Sequence, residues 1–117
     1  MSTYIVMIYG DEQVWESWSE DQGAANAAAH QAFNAEHGDS VVGGHQLDRS
    51  WTGRSIRAGT DGSSSVTQGP YVQGAAVLGG YYLIEAPDLD RAVRIAADLP
   101  EASAPSSGVE VRRLATT

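Results

Sequence analysis

The sequence predicts an α+β fold, and three observations carry the prediction. Two apolar, β-rich runs, residues 4–9 and 79–85, read as central strands. Two segments carry helix-start chemistry, Ser19-Glu20-Asp21-Gln22 and Asp88 directly after Pro87. Between them, glycine-bearing turns cut the chain into short strands.

Tyr4-Ile5-Val6-Met7-Ile8-Tyr9 forms the first strand and stops at Gly10-Asp11. A turn or short helix around Val14-Trp15 follows. Ser19 then caps a helix, with Gln22 three residues on and acids in the first turn, where the helix dipole favours them. The alanine-rich segment runs to about His37 and ends at Gly38. Residues 41–47 make a strand whose glycines allow close backbone approach. Arg54 to Arg57 alternates into Gly59-Thr60-Asp61-Gly62, a hairpin turn, and Ser64 to Thr67 returns antiparallel until Gly69-Pro70 breaks the pairing. Residues 71–77, interrupted by glycine, fit neither template. After the strand 79–85, Asp88 starts a helix with Ala92, Ile95, Ala96 and Leu99 on one apolar face. Residues 100–108 read as a loop, 109–114 as the last strand and 115–117 as a frayed tail.

The order β-α-β-β-β-β-α-β is a ferredoxin-like βαββαβ with an extra central hairpin, in one domain spanning residues 1–117. Two helices cover one face of such a sheet. Both parities of the central strands are apolar or aromatic, so the other face also expects a cover, most simply a second copy in a homodimer.

Composition removes several function classes. The net charge is −8 with seven Lys and Arg, which supplies no cationic stripe for nucleic acid or an anionic membrane surface. Without cysteine there is no disulfide, thiolate nucleophile or Cys-held metal. No run reaches the ~20 apolar residues of a bilayer span. The opening residues carry no basic leader, so the expected location is cytoplasmic.

His30 is the first candidate for chemistry. Asn26, His30, Phe33 and His37 share one side of the long helix, bordering its alanine stripe, which sets His30 half-buried at the helix–sheet boundary. An imidazole there suits general acid–base work near neutral pH, or is simply a histidine held by a backbone carbonyl. His45 shares the parity of Val41 and Leu47, which points it inward. Tyr9, Tyr71, Tyr81 and Tyr82, with three tryptophans and Phe33, suit either a ligand pocket or a dimer interface. Tyr81 and Tyr82 point to opposite faces. His30, His37 and His45 match no metal-ligand spacing, and neither Gly43-Gly44 nor Gly79-Gly80 sits in a phosphate-loop motif. No metal or cofactor is expected.

Gln68-Gly69-Pro70-Tyr71 followed by Leu78-Gly79-Gly80-Tyr81-Tyr82-Leu83-Ile84-Glu85 resembles the signature and central strand of the YCII-related, DGPF-type family. Ile8-Tyr9-Gly10-Asp11-Glu12, Ala29-His30-Gln31-Ala32-Phe33, Asp88-Leu89-Asp90-Arg91-Ala92 and Val109-Glu110-Val111-Arg112 are similar to that family's segments in the same order. The resemblance implies a dimeric α+β barrel, two ferredoxin-like sheets face to face, with pockets that take small molecules. A few such relatives are small-molecule enzymes, one removing chloride from a chlorinated muconate-type compound, and others are encoded beside alternative sigma factors. It also implies that His30 pairs with an Asp, whose closest match is Asp98. Gln68 replaces the signature acid, and the polar stretch that follows in relatives is here Val72-Gln73-Gly74-Ala75-Ala76-Val77. The expected function is a cofactor-independent isomerase, lyase or cyclase with His30 and Asp98 as its acid–base pair. Tyr9, Phe33, His45, Gln68, Tyr71 and Tyr82 are the expected ligand contacts. The alternative is a non-catalytic ligand-binding or regulatory accessory protein.

Overall fold

The structure, a computed structural model, describes residues 1–116; Thr117, the end of the tail expected to fray, lies outside the described residues. In chain order the elements are β1 (Ser2–Asp11), α1 (Glu12–Glu16), α2 (Glu20–His37), β2 (Val41–Gln46), β3 (Arg54–Ala58), β4 (Ser64–Gln68), β5 (Ala76–Ala86), α3 (Leu89–Ala96) and β6 (Ser107–Arg113). Single 3₁₀ turns lie at Ser50–Thr52 and Pro100–Ala102.

The main sheet is antiparallel with order β2-β5-β1-β6, the ferredoxin-like arrangement, and β3 pairs with β4 in a separate two-stranded ribbon. Both helix starts form by the expected chemistry. Ser19 Oγ accepts from Gln22 N, and the Gln22 side chain reaches back to Ser19 N, which satisfies two orphan donors at once. Asp88 Oδ1 accepts from Arg91 N at 2.8 Å.

One face of the sheet packs under α2 and α3. Tyr4, Val6 and Ile8 of β1, Ile84 and Ala86 of β5, Phe33 of α2, and Ala92, Ile95, Ala96 and Leu99 form the core. Helix α3 ends at Ala96, earlier than expected; the chain turns there, and Leu99 is buried from beyond the helix end. The opposite face carries Ile5, Met7, Tyr9, Tyr81 and Leu83, all half-buried. The molecule is accordingly thin, 48 × 44 × 19 Å.

Two bulges reset side-chain parity. In β2, Val41 lies opposite Ile84 and Gly43 opposite Leu83, so Val42 is an extra residue. In β5, Ile8 lies opposite Gly80 and Tyr9 opposite Leu78, so Gly79 is extra. Trp15 lies on this second bulge. A Cβ on Gly10 would stand 2.2 Å from Trp15 Cζ2, and one on Gly79 2.6 Å from Trp15 Cη2. Glycine at both positions is what lets the indole sit on the strands.

Candidate functional site

The space between α2 and the helix-facing side of the sheet holds a half-open cavity of about 790 Å³, within the usual range for small-molecule sites. Its origin is local sequence. The sheet contributes Gly43-Gly44 and Gly79-Gly80, and α2 contributes Gly23, Asn26, Ala27 and His30. Small residues on both surfaces leave unfilled volume where larger side chains would pack. Trp15, Trp18 and Arg49 wall one end; Tyr82, Asn34 and Glu101 wall the other. A single chain forms this cavity.

At the second end four side chains join. His30 Nε2 lies 2.9 Å from Glu101 Oε2, and His30 Nδ1 lies 2.8 Å from the Tyr82 hydroxyl. Asn34 Nδ2 donates to the same hydroxyl at 3.3 Å and to the His30 carbonyl at 2.9 Å. An ionised carboxylate only accepts, so Nε2 carries the proton toward Glu101. In that tautomer Nδ1 accepts from the Tyr82 O–H. Glu101 is buried, and its second oxygen, Oε1, has no hydrogen-bond partner among the described residues. The Tyr82 phenol is pushed above its ordinary value, first by burial and also by the negative charge of Glu101, while the Asn34 hydrogen bond opposes the rise. It stays protonated at neutral pH.

The stripe read from sequence appears as built: Asn26, His30 and His37 are half-buried and Phe33 fully buried, all on the sheet side of α2. The partner expected for His30 is different. Asp98 Oδ2 lies 2.8 Å from His37 Nε2, two helical turns along α2 from His30. The 3₁₀ turn at Pro100–Ala102, in a stretch expected to be plain loop, carries Glu101 back to His30. Nothing local in Pro100-Glu101-Ala102 marks that carboxylate as buried; proline at the start of the turn was the one available signal.

The other expected ligand contacts divide. Tyr82 lines the cavity. Phe33 lies beneath it, packed on Tyr82 and His37 at 5.1 Å between centroids, as core. Tyr9 lies on the opposite face of the sheet by register with Leu78. His45 borders the cavity, but the Val42 bulge reverses its parity. It pairs with Tyr81, and their rings stand 6.2 Å apart on the open face, so the inward reading is corrected. Gln68 and Tyr71 lie at the root of the β3–β4 ribbon, away from the cavity wall: Gln68 Nε2 donates to the Trp51 carbonyl at 3.1 Å, and Arg57 covers the Tyr71 ring at 4.4 Å. With Gly69 in the left-handed region at φ 94°, this signature-like run closes the ribbon.

Sequence reasoning missed Arg49, Glu12 and Ser50 at the other end. Glu12 accepts from Ser50 N at 2.7 Å and from the Ser50 hydroxyl, which pins the loop that presents Arg49. Arg49 Nε meets Glu16 at 2.7 Å, and its guanidinium lies 5.5 Å from the Trp15 ring centre. Elsewhere, Glu36, His37 and Asp98 bring potential ligand atoms within 4.8 Å of one another. Arg91 and Arg94 line the same hollow and oppose a cation there. No helix among the described residues is long and apolar enough to cross a membrane.

Fold and site together define a class: a ferredoxin-like α+β domain with a cavity under its first long helix and a hydrogen-bonded Tyr–His–Glu chain in the cavity wall. The chain belongs to the YCII-related domain family, whose family model matches residues 2–116. It is similar to an uncharacterized protein, R00369, of Rhizobium meliloti (strain 1021), with 29% identity over 114 residues that cover 96% of this chain and 91% of that protein.

Proposed function

We propose that this domain catalyses cofactor-independent proton transfer on a small organic substrate held in the α2–sheet cavity, in an isomerisation, elimination or cyclisation. The observation that carries the reading is the chain Tyr82–His30–Glu101. Both imidazole nitrogens are engaged, so the hydroxyl of Tyr82 is the group that meets the substrate. A substrate C–H or O–H proton passes to the Tyr82 oxygen as the phenolic proton passes to His30 Nδ1. The imidazolium so formed is stabilised by Glu101. Reversal of the relay returns the proton to another atom of the substrate. No free phenolate is required, which suits a phenol whose proton is held tightly. Glu101 takes the place in this scheme first assigned to Asp98.

The same reading has the domain act as a cytoplasmic homodimer, the open sheet face of one copy against another. Its support is the row of half-buried apolar side chains on that face, Ile5, Met7, Tyr9, Tyr81 and Leu83. The commitment of both His30 nitrogens inside the protein also favours a second reading, a ligand-binding module without chemistry.

Trp15 and Trp18 in the wall report occupancy by fluorescence. Small cyclic ketones, enolisable carboxylic acids and phenols are screened for quenching, and bound compounds are incubated in D₂O and followed by ¹H NMR for loss of an acidic C–H signal. Catalysed exchange that falls about 10²–10⁴-fold in Tyr82→Phe and His30→Gln, with binding kept, supports the enzyme. Ligands that bind yet never exchange or change chemically favour the binding module. Exchange at the wild-type rate in Tyr82→Phe refutes the relay.

A further inference from the structure

The β3–β4 ribbon contributes nothing to the cavity wall, and its geometry is unusual. An isolated two-stranded ribbon is marginal in water, yet this one carries its apolar side chains outward. Ile56 lies opposite Val66, and the two are 67% and 65% exposed. Arg54, Ala58, Ser64 and Gln68 share that face by register. On the reverse face β3 is covered, while Ser65 and Thr67 of β4 stay exposed. Ser55 is buried with its hydroxyl on the Gly69 carbonyl at 2.7 Å, and Arg57 lies over Tyr71. The ribbon also extends the molecule: the radius of gyration is 16.0 Å, against about 13 Å for a compact domain near this length.

Charge separates the ribbon from the body. Its strands carry Arg54 and Arg57 and no acid. Residues outside 50–75 hold fourteen acids against five arginines. A cationic, apolar strip on a strongly anionic protein is complementary to the body of another copy. The open sheet face offers both halves of the match: an apolar centre of Ile5, Met7 and Leu83, with Glu85 on the same face by register with Thr3, beside a Glu110 that Arg112 of that face already pairs.

We propose that the β3–β4 ribbon is an arm whose Ile56–Val66 face docks on the open sheet face of a second copy, with Arg54 toward its Glu85. This rests on the homodimer reading above and refines what covers the open face: the partner's arm, in place of its sheet, lies over Ile5, Met7 and Leu83. The arm covers sheet that its own subunit leaves open, and the sheet covers a ribbon that water does not hold well.

The absence of cysteine makes the test clean. Wild-type protein is followed by sedimentation velocity from 1 to 100 μM, beside Ile56→Asp. A Val66→Cys/Met7→Cys double variant and each single variant are oxidised and run on non-reducing gels. The proposal expects a wild-type dimer, a dissociation constant raised about a hundredfold in Ile56→Asp, and covalent dimer from the double variant well above either single variant. A dimer unaffected by Ile56→Asp overturns the arm while leaving the face-to-face dimer standing. Efficient cross-linking by Val66→Cys alone means that arms pair with arms, and also overturns it. A wild-type monomer at 100 μM removes both the arm and the dimer. Circular dichroism of Ile56→Asp checks that any loss is of association and not of fold.

Discussion

The two histidine–carboxylate pairs of α2 have nearly equal lengths and unequal surroundings, which makes them a measurement. His30–Glu101 is 2.9 Å long with side-chain exposures of 22% and 7%; His37–Asp98 is 2.8 Å long with exposures of 17% and 50%. Distance alone predicts equal strength. Solvent screening predicts otherwise, because Asp98 shares its charge with water and Glu101 does not. Two double-mutant cycles separate the cases: Glu101→Gln, His30→Gln and both, then Asp98→Asn, His37→Gln and both, each by urea unfolding. A hydrogen bond to a buried charged group is worth about 1.5–3 kcal/mol, and an exposed pair about 0.2–1 kcal/mol. With a urea slope of roughly 1–3 kcal/mol/M, a coupling of about 2 kcal/mol shifts the midpoint by around 1 M, well within measurement. The first cycle should therefore give the larger coupling. Equal couplings, or a larger one at His37–Asp98, would refute the claim that burial makes Glu101 the functional partner of His30.

Gly10→Ala places a methyl inside the Trp15 ring and should cost about 1–3 kcal/mol, with a shifted tryptophan emission maximum. Added to Trp15→Ala it should cost much less, since nothing then opposes the methyl; equal costs in both backgrounds would remove the clash as the cause. Tyr82 holds its proton more tightly folded than unfolded, so its contribution is complete below about pH 10 and is lost as pH rises through the folded value. Thermal melts of the wild type should therefore fall more steeply above pH 10 than those of Tyr82→Phe, and parallel curves would count against the raised phenol. Asp88→Ala removes the cap on Arg91 N and should cost about 1 kcal/mol, read as a lower thermal midpoint.

The frame of the fold was legible because its signals are local. Ser19 with Gln22, Asp88 after Pro87, and Gly59 to Gly62 each act within four residues, and each sits where its chemistry requires. The α2 stripe of Asn26, His30, Phe33 and His37 was legible for the same reason, since helical spacing alone sets it. The partners of that stripe were not. Asp98 and Glu101 differ by three residues, and a turn of one kind or another between α3 and β6 decides which carboxylate reaches which histidine. A family resemblance supplied an Asp for that place, and the chain supplies a Glu by way of a turn that has no strong signature.

His45 shows a second kind of failure, with a more general cause. Strand parity is a counting argument, and one inserted residue reverses everything beyond it. Val42 is that residue. Ahead of it Val41 faces the helices opposite Ile84; beyond it His45 faces away, opposite Tyr81, while Gln46 comes to lie opposite Gly80 on the cavity side. The bulge at Gly79 does the same for β5, setting Val77 opposite Gly10 on the helix side and leaving Leu78 opposite Tyr9. Both insertions fall where glycines cluster, and both lie along the cavity wall. The glycines therefore act twice: they leave the volume empty, and they accept the backbone irregularities that choose which side chains look into it. The helix supplies His30 by a periodicity that nothing interrupts, and the sheet supplies Tyr82 between the two bulged stretches, at the position where register with Val6 still holds it toward the core. The relay forms because a regular element and an irregular one meet at that residue.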